Sequence, residues 1–302
     1  MSDALPRFVW VNGVVMAADA PHVTVFDRGF QLGDGIFETL RASGGRVTEL
    51  DEHVARLGRS AGGLDIALPA DVAGRVERGI ADLLAAEELD GPAADASIRI
   101  TVTRGAWASR GLLPPRDVHL EPTIAIQAWP VAPAPPSHLE GGLHLVASAV
   151  RRDPANPIVT LKTTSRADYV FARLEARRAG ADDALFLTTS GHLSESTTAN
   201  LFLVRRAAAG TGELATPALE CAILPGTTRS WLLRWAAGVG LRAVEAWLLP
   251  EDLAAADEAF VCSSVAGVLP VTRFDGTPIG DGRPGRFTLR ARADREGFIT
   301  GG

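Results

Sequence analysis

Lysine is all but missing from this chain. Of its 30 basic residues 29 are arginine, and the single lysine is Lys162. Arginine replaces lysine in ion pairs and solvation, but its permanently charged guanidinium cannot form an imine with an aldehyde. The scarcity therefore excludes lysine-based covalent chemistry everywhere except at position 162. On composition alone, Lys162 reads equally well as a surface lysine left over in an arginine- and alanine-rich chain. Cysteine is scarce too: Cys221 and Cys262 lie far apart without a CxxC pair, which excludes a disulfide scaffold or zinc ribbon and fits a reducing cytoplasm. Basic excess is absent, the net charge being -6 with a pI near 5.6, so neither nucleic acid nor a membrane surface is an expected partner. No run of about 18 apolar residues occurs, and Met1 to Trp10, interrupted by Asp3 and Pro6, lacks the apolar stretch of a secretory leader. The chain reads as soluble, cytoplasmic and unprocessed. The six histidines include no HExxH pair, so no metal site is expected, and GxGxxG, Walker and GxSxG patterns are missing.

What is present is 302 residues, 46% of them hydrophobic, enough for a large core and for two domains. Phe8 to Val15 alternates around Asn12-Gly13, which predicts a hairpin. Asp51 is a candidate N-cap for a helix through Val54, Leu57 and Ala61. A second helix, Asp71 to Glu88, places Val72, Val76, Ile80, Leu83 and Leu84 on one face. Ser97 to Thr103 and Thr123 to Trp129 read as strands, giving the first half an α+β character. From Trp129 to His138 the sequence is WPVAPAPPSH, and its prolines favour an extended connector. The expected organisation is a small N-terminal α/β domain over 1–128, a linker over 129–138 and a larger domain over 139–302. In the latter, strand-like stretches (143–150, 184–189, 200–205, 242–248, 258–263) alternate with helical ones (166–179, 228–238, 250–255). Ala207 to Gly212 reads as a small-residue turn.

Lys162 closes the run Ile158-Val-Thr-Leu-Lys162, which reads as a strand end just ahead of a helix starting near Ser165. Such a place holds an amine rigidly, and apolar neighbours favour its neutral, nucleophilic form. In Leu193-Ser-Glu195-Ser-Thr-Thr-Ala-Asn200-Leu-Phe202, Glu195 occupies a small-polar turn leading into an apolar strand. A carboxylate so placed suits the ring nitrogen of pyridoxal phosphate, which must stay protonated for the ring to act as an electron sink; a solvated turn glutamate has the same local sequence. In Ile223-Leu-Pro-Gly226-Thr-Thr228-Arg229 a glycine precedes two hydroxyls on the first turn of a helix. That pattern suits a phosphate and equally an ordinary helix cap. Ser263 and Ser264, after the strand Glu258 to Cys262, form a candidate second cradle. Arg56 could pair with the same dianion, although one arginine among 29 carries little weight. His53 reads as a packing residue.

Taken in order, Phe26-Asp-Arg28-Gly-Phe-Gln-Leu-Gly33-Asp-Gly35-Ile-Phe37-Glu-Thr, His53-Val-Ala-Arg56-Leu, Lys162, Glu195 to Phe202, Leu224-Pro-Gly-Thr-Thr-Arg229 and Pro270-Val271 resemble the fold-type IV pyridoxal-phosphate enzymes. That family includes branched-chain and D-amino-acid aminotransferases, (R)-amine transaminases and 4-amino-4-deoxychorismate lyase. The resemblance runs from about Val9 to about Gly280. It implies a two-domain α/β (α+β) homodimer with pyridoxal 5'-phosphate between the domains, the larger domain being the cofactor-binding one. It also implies roles. Lys162 binds the cofactor as a Schiff base and shuttles protons, Glu195 partners the pyridine nitrogen, and Leu224 packs on the ring. Arg56, Thr228 and Ser264 hold the phosphate, with Thr227 adding a backbone donor, while Phe37 and Val265 line the substrate site. The stretch Thr103 to Gly111 corresponds to a loop the partner subunit lends, and Arg110 is its candidate clamp for a substrate carboxylate.

Within the family, branched-chain aminotransferases usually carry a tyrosine five positions after the lysine. Here that position is Ala167, and the only tyrosine, Tyr169, falls two residues later on another helical face, which disfavours branched-chain L-amino acids. Val150 to Pro157, Arg104-Gly105 and Arg110-Gly111 resemble the lyases. Phe37 stands where D-amino-acid aminotransferases tend to have tyrosine, which removes one hydrogen bond and, with the lyase-like stretches, pulls against a standard D-amino-acid enzyme. Phe37-Glu38-Thr39 keeps the acidic residue common among the transaminases, and the apolar Trp107-bearing loop suits an aromatic or hydrophobic amine. The expected activity is transfer of an amino group from a D-amino acid or (R)-amine to a 2-keto acid, with 4-amino-4-deoxychorismate lyase as the alternative. A branched-chain L-amino-acid aminotransferase, or a non-catalytic protein that kept the scaffold, stands behind both.

Overall fold

A computed structural model describes residues 5–206 and 212–301. The stretch read as a small-residue turn lies, apart from Gly212, outside the described residues. The chain divides into two compact units: Met1–Ala132 with Leu161–Arg166, and Pro133–Thr160 with Ala167–Gly302. Leu161–Arg166, which carries Lys162, thus belongs to the first unit, whereas the sequence assigns it to the domain over 139–302.

The first unit contains β1 (Phe8–Val11), β2 (Val14–Ala17), α1 (Arg28–Leu32), β3 (Gly35–Ser43), β4 (Arg46–Val47), α2 (Leu50–Gly63), α3 (Val72–Ala86), β5 (Asp95–Thr103) and β6 (Thr123–Pro130). Asn12 and Gly13 both take positive φ, 48° and 103°, as the two-residue turn between β1 and β2 requires. The strands form a six-stranded sheet in the order β2-β1-β6-β5-β3-β4. Ile36, Leu40 and Ala42 of β3 and Ile98, Ile100 and Val102 of β5 share one core with Leu57 and Ala61 of α2 and Val76, Ile80, Leu83 and Leu84 of α3. Side chains alternate across a strand, so Phe37 and Arg99 point from the opposite face of this sheet. Helix α2 begins at Leu50 behind a left-handed Glu49, so Asp51 sits in its first turn instead of capping it. Trp129 and Pro130 complete β6, and the stretch read as linker starts two residues inside a strand.

The second unit contains α4 (Pro136–Glu140), β7 (Leu143–Arg152), α5 (Ala167–Arg178), β8 (Asp183–Thr188), β9 (Leu193–Ser196), β10 (Asn200–Arg205), β11 (Gly212–Pro217), α6 (Thr227–Gly238), β12 (Leu241–Ala246), α7 (Pro250–Ala254), β13 (Glu258–Ser263), β14 (Gly267–Phe274), β15 (Thr277–Pro278) and α8 (Arg286–Thr300). The sheet runs β12-β11-β10-β13-β14-β7-β8-β9, with β15 beside β14. It is covered on both faces. Leu201 and Leu203 pack into one core with Leu185, Leu253 and Val271, while the intervening Phe202 and Val204 pack into another with Leu232 of α6 and Ala291 of α8. Both cysteines are buried, and neither is in a disulfide. No helix among the described residues is long and apolar enough to cross a membrane.

The run before Lys162 is not a strand. Strand β7 stops at Arg152 and residues 154–160 turn, because Pro154 and Pro157 lack ladder donors and Asn156 folds back on Asp153.

Candidate active site

Lys162 takes its rigidity from β3 instead. Phe37 N donates to Lys162 O at 2.9 Å, Thr164 N donates to Gly35 O at 2.8 Å, and Ile36 and Thr163 form an antiparallel bridge. The lysine's own N–H donates to Ser60 Oγ at 3.1 Å. Ser60 lies one turn beyond Arg56 on the buried face of α2. Gly33, left-handed at φ 65°, ends α1, and a side chain there would meet Ser165 Oγ at 2.6 Å; only glycine lets the lysine segment come this close.

The lysine side chain lies over Phe37, its Nζ 4.6 Å from the ring centroid. Two guanidiniums share that ring: Arg99 Cζ at 4.0 Å and Arg166 Cζ at 5.6 Å. Three cations around one phenyl ring gain cation–π attraction but repel one another. Burial and then the charge of Arg166 hold Arg99 below the usual arginine range, and a nearby anion would relieve both. Arg99 and Arg166 are functional candidates the sequence does not single out, since nothing distinguishes them among 29 arginines. Arg110 is exposed, on the loop between β5 and β6.

On the core face of β3, Glu38 is 0% exposed and engages Arg56 through two bonds, Nε to Oε1 at 2.8 Å and Nη2 to Oε2 at 2.6 Å. His53, read as a packing residue, is buried but lies with Nδ1 2.7 Å from the same carboxylate. Arg56 is thus oriented by a buried acid that neither spacing nor composition identified as its partner. Burial alone would raise the Glu38 carboxyl, but hydrogen bonds from Arg56 and His53 outweigh it and hold the group at about 2, against 4.5 ordinarily.

That depression has a consequence for stability. A carboxyl held lower when folded stabilises the fold above its ordinary value, and the contribution disappears as pH falls from 4.5 toward 2; its size is on the order of 3 kcal/mol. We expect Glu38→Gln to lose roughly 3–5 kcal/mol at neutral pH by stranding Arg56, and to lose less further stability than the native protein between pH 5 and 3. Chemical denaturation at those pH values checks this. Parallel curves for the two proteins would contradict it.

In the second unit Glu195, on β9, is 5% exposed. Its Oε2 accepts from Leu224 N at 3.0 Å and from Asn200 Nδ2 at 3.3 Å, and Arg152 Nη2 lies 3.5 Å from its Oε1. Asn200 also donates to Leu224 O at 3.0 Å. A side chain at Gly226 would meet Asn200 Oδ1 at 2.1 Å, so the Leu224-Pro-Gly226 turn closes on Asn200 only with glycine there. Thr227 and Thr228 open α6, and Thr227 Oγ1 lies 3.3 Å from Ser264 Oγ, just beyond β13. Val265 follows, half buried. Tyr169 packs edge-on against Phe186 and lies beneath Arg152.

The donors in this unit match two ends of one molecule. First-turn N–H groups of α6 have no intrahelical acceptors, and with two hydroxyls beside them they suit a phosphate ester. The buried, doubly bonded Glu195 suits a cationic ring nitrogen. In a chain that also holds a lysine able to form an imine, this chemistry is that of an enzyme using pyridoxal 5'-phosphate.

Comparison with known proteins agrees. The family model described as amino-transferase class IV matches residues 35–274. A Methanocaldococcus jannaschii protein provisionally named a branched-chain-amino-acid aminotransferase is 34% identical over 94% of this chain and 93% of its own length. A D-alanine aminotransferase of Bacillus licheniformis is 30% identical over 96% of each. Among solved structures, the branched-chain amino acid aminotransferase of Escherichia coli superposes with a TM-score of 0.89 at 26% identity, covering 98% of this chain and 96% of that one. The chain belongs to the class IV aminotransferases, whose cofactor is pyridoxal 5'-phosphate.

Proposed function

We propose that this aminotransferase takes its amino group from a D-amino acid or, less favoured, an (R)-amine, and gives it to a 2-keto acid. The observation that carries the preference for a carboxylate-bearing donor is the guanidinium of Arg99, 4.0 Å from the centre of the Phe37 ring over which Lys162 also lies. A simple amine offers that guanidinium no counter-charge; the carboxylate of an amino acid and of a keto acid does. The D-configuration is supported by Ala167 standing where branched-chain enzymes carry tyrosine, and by the likeness to D-alanine aminotransferases.

When bound, pyridoxal phosphate supplies an aldehyde for the amino group and a protonated ring that withdraws electrons. The chain's own residues do the rest. Lys162 Nζ removes the proton from the donor's α-carbon and returns a proton to complete the transfer. Glu195 keeps the ring nitrogen protonated, and Arg99 orients the carboxylate so that the α-hydrogen faces the lysine. Arg56, Thr227, Thr228 and Ser264 hold the phosphate, and Leu224 packs on the ring.

Mixing the loaded protein with D-alanine, L-leucine or (R)-1-phenylethylamine alone tests this reading through the cofactor's visible absorbance. Full conversion with D-alanine is expected, and Arg99→Leu should raise the D-alanine concentration needed by roughly tenfold. Conversion by L-leucine alone would overturn the D-reading. No conversion by any of the three, with pyruvate released from aminodeoxychorismate, would make the protein a lyase.

We also infer a homodimer. Phe30 and Leu112 are 74% and 80% exposed, and Arg28 joins their segments by donating to Gly111 O and Leu112 O. Exposed apolar side chains on two tethered segments favour burial against a second copy. Light scattering at micromolar concentration should give twice the chain mass; the mass of one chain would refute it.

A further inference from the structure

The C-terminal helix α8 buries Thr288, Ala291, Arg295 and Ile299 at helical spacing. One of them is a guanidinium: Arg295 is 1% exposed, and a buried charge is costly unless it is hydrogen-bonded or paired. Its Nη2 donates to Thr228 Oγ1 at 3.2 Å. The rings of Trp231 and Phe298 flank it, with centroids 5.3 and 5.1 Å from Cζ.

A threonine hydroxyl has one proton to donate and lone pairs to accept with. Inside a helix that proton commonly returns to a carbonyl three or four residues back. Thr228 is the second residue of α6 and has no helical turn behind it, and Leu224 O, four residues back, accepts from Asn200. Among the described residues Arg295 is the only hydrogen-bonding partner of the Thr228 hydroxyl, and it occupies a lone pair. The hydroxyl's own proton is left over, in a buried position where an unsatisfied donor is costly.

We propose that Arg295 is a positioning residue for the cofactor's phosphate: by occupying the acceptor side of the Thr228 hydroxyl it commits that group to donating, so that α6 favours a phosphate monoester over the corresponding alcohol. This rests on the reading of the α6 start as the phosphate end. The arginine acts through Thr228, and the rings of Trp231 and Phe298 keep its guanidinium in place.

The test uses the protein freed of cofactor, with calorimetric titration by pyridoxamine 5'-phosphate and by pyridoxamine. Neither forms a covalent bond with the protein, so phosphate recognition is read apart from catalysis. The native protein should prefer the phosphorylated amine strongly. Arg295→Met should weaken its binding by about tenfold and leave pyridoxamine within twofold. Arg295→Lys, which keeps a donor and a charge, should recover part of the loss. In a Thr228→Val background, changing Arg295 to Met or Lys should add less than twofold, because the hydroxyl through which it acts is gone. Should Arg295→Met fail to fold, Arg295→Lys with and without Thr228→Val carries the same comparison.

Equal weakening of both ligands would make Arg295 a merely structural residue and overturn the proposal. So would independent, multiplying losses from positions 228 and 295. A native protein that binds the two amines alike would overturn the phosphate reading itself, and the proposal with it, an outcome distinct from normal discrimination that the Arg295 variants leave untouched.

Discussion

Lys162→Arg should lower turnover by at least about 10^4-fold while the protein stays folded. Arginine keeps the positive charge and most of the length but offers neither a nucleophilic amine nor a group able to give up its proton, and proton transfer by a positioned base is itself worth up to about 10^4-fold. The fold should survive because the lysine is tethered through its backbone, by Lys162 N to Ser60 Oγ and by Phe37 N to Lys162 O. Neither bond uses the side chain. Circular dichroism and a melting curve should match the native protein, and steady-state assays should find residual activity at background. Activity within a hundredfold of native would mean that another group does the chemistry, and no other lysine exists to do it.

Glu195→Gln should cost about 10^2–10^3-fold in turnover with cofactor still bound, the range typical of losing one fixed electrostatic partner. The amide is nearly isosteric, so the bonds from Leu224 N and Asn200 can persist. What is lost is the negative charge that holds a proton on the ring nitrogen. Glu195→Asp keeps the charge but draws it back by one methylene and should fall between the two. A Gln variant within tenfold of native, assayed at saturating cofactor, would remove Glu195 from the chemistry.

Lys162 stands out in the sequence by scarcity, and Glu195 by a small-polar run ahead of an apolar strand; that run reads as a turn, but Leu193–Ser196 forms β9. The surroundings of the lysine were less legible. Ile158 to Leu161 has the β-branched content of a strand, yet Pro154, Asn156 and Pro157 make it a turn, and the lysine is held by pairing with β3, a contact made across more than a hundred residues of chain. Strand β3 is buried along nearly its whole length, so it lacks the alternation that reveals half-exposed strands. Helix α8 is not legible in the sequence because its inward face carries a threonine and an arginine, which break the hydrophobic stripe that marks a packed helix. Glu38 could be noted only as an acidic residue resembling that of the transaminases; its hold on Arg56 depends on β3 lying under α2. Arg99 and Arg166 become visible only once β5 and the lysine segment bring them to Phe37.

Amino transfer by this chain depends on a covalent bond between the cofactor and one amine, and the direct measurement is reductive trapping. Treating the yellow protein with borohydride, digesting it and sequencing the pyridoxyl-bearing peptide by mass spectrometry should place the whole label on Lys162. Label found only at the amino terminus, or a protein that releases its cofactor intact after reduction, would contradict the account.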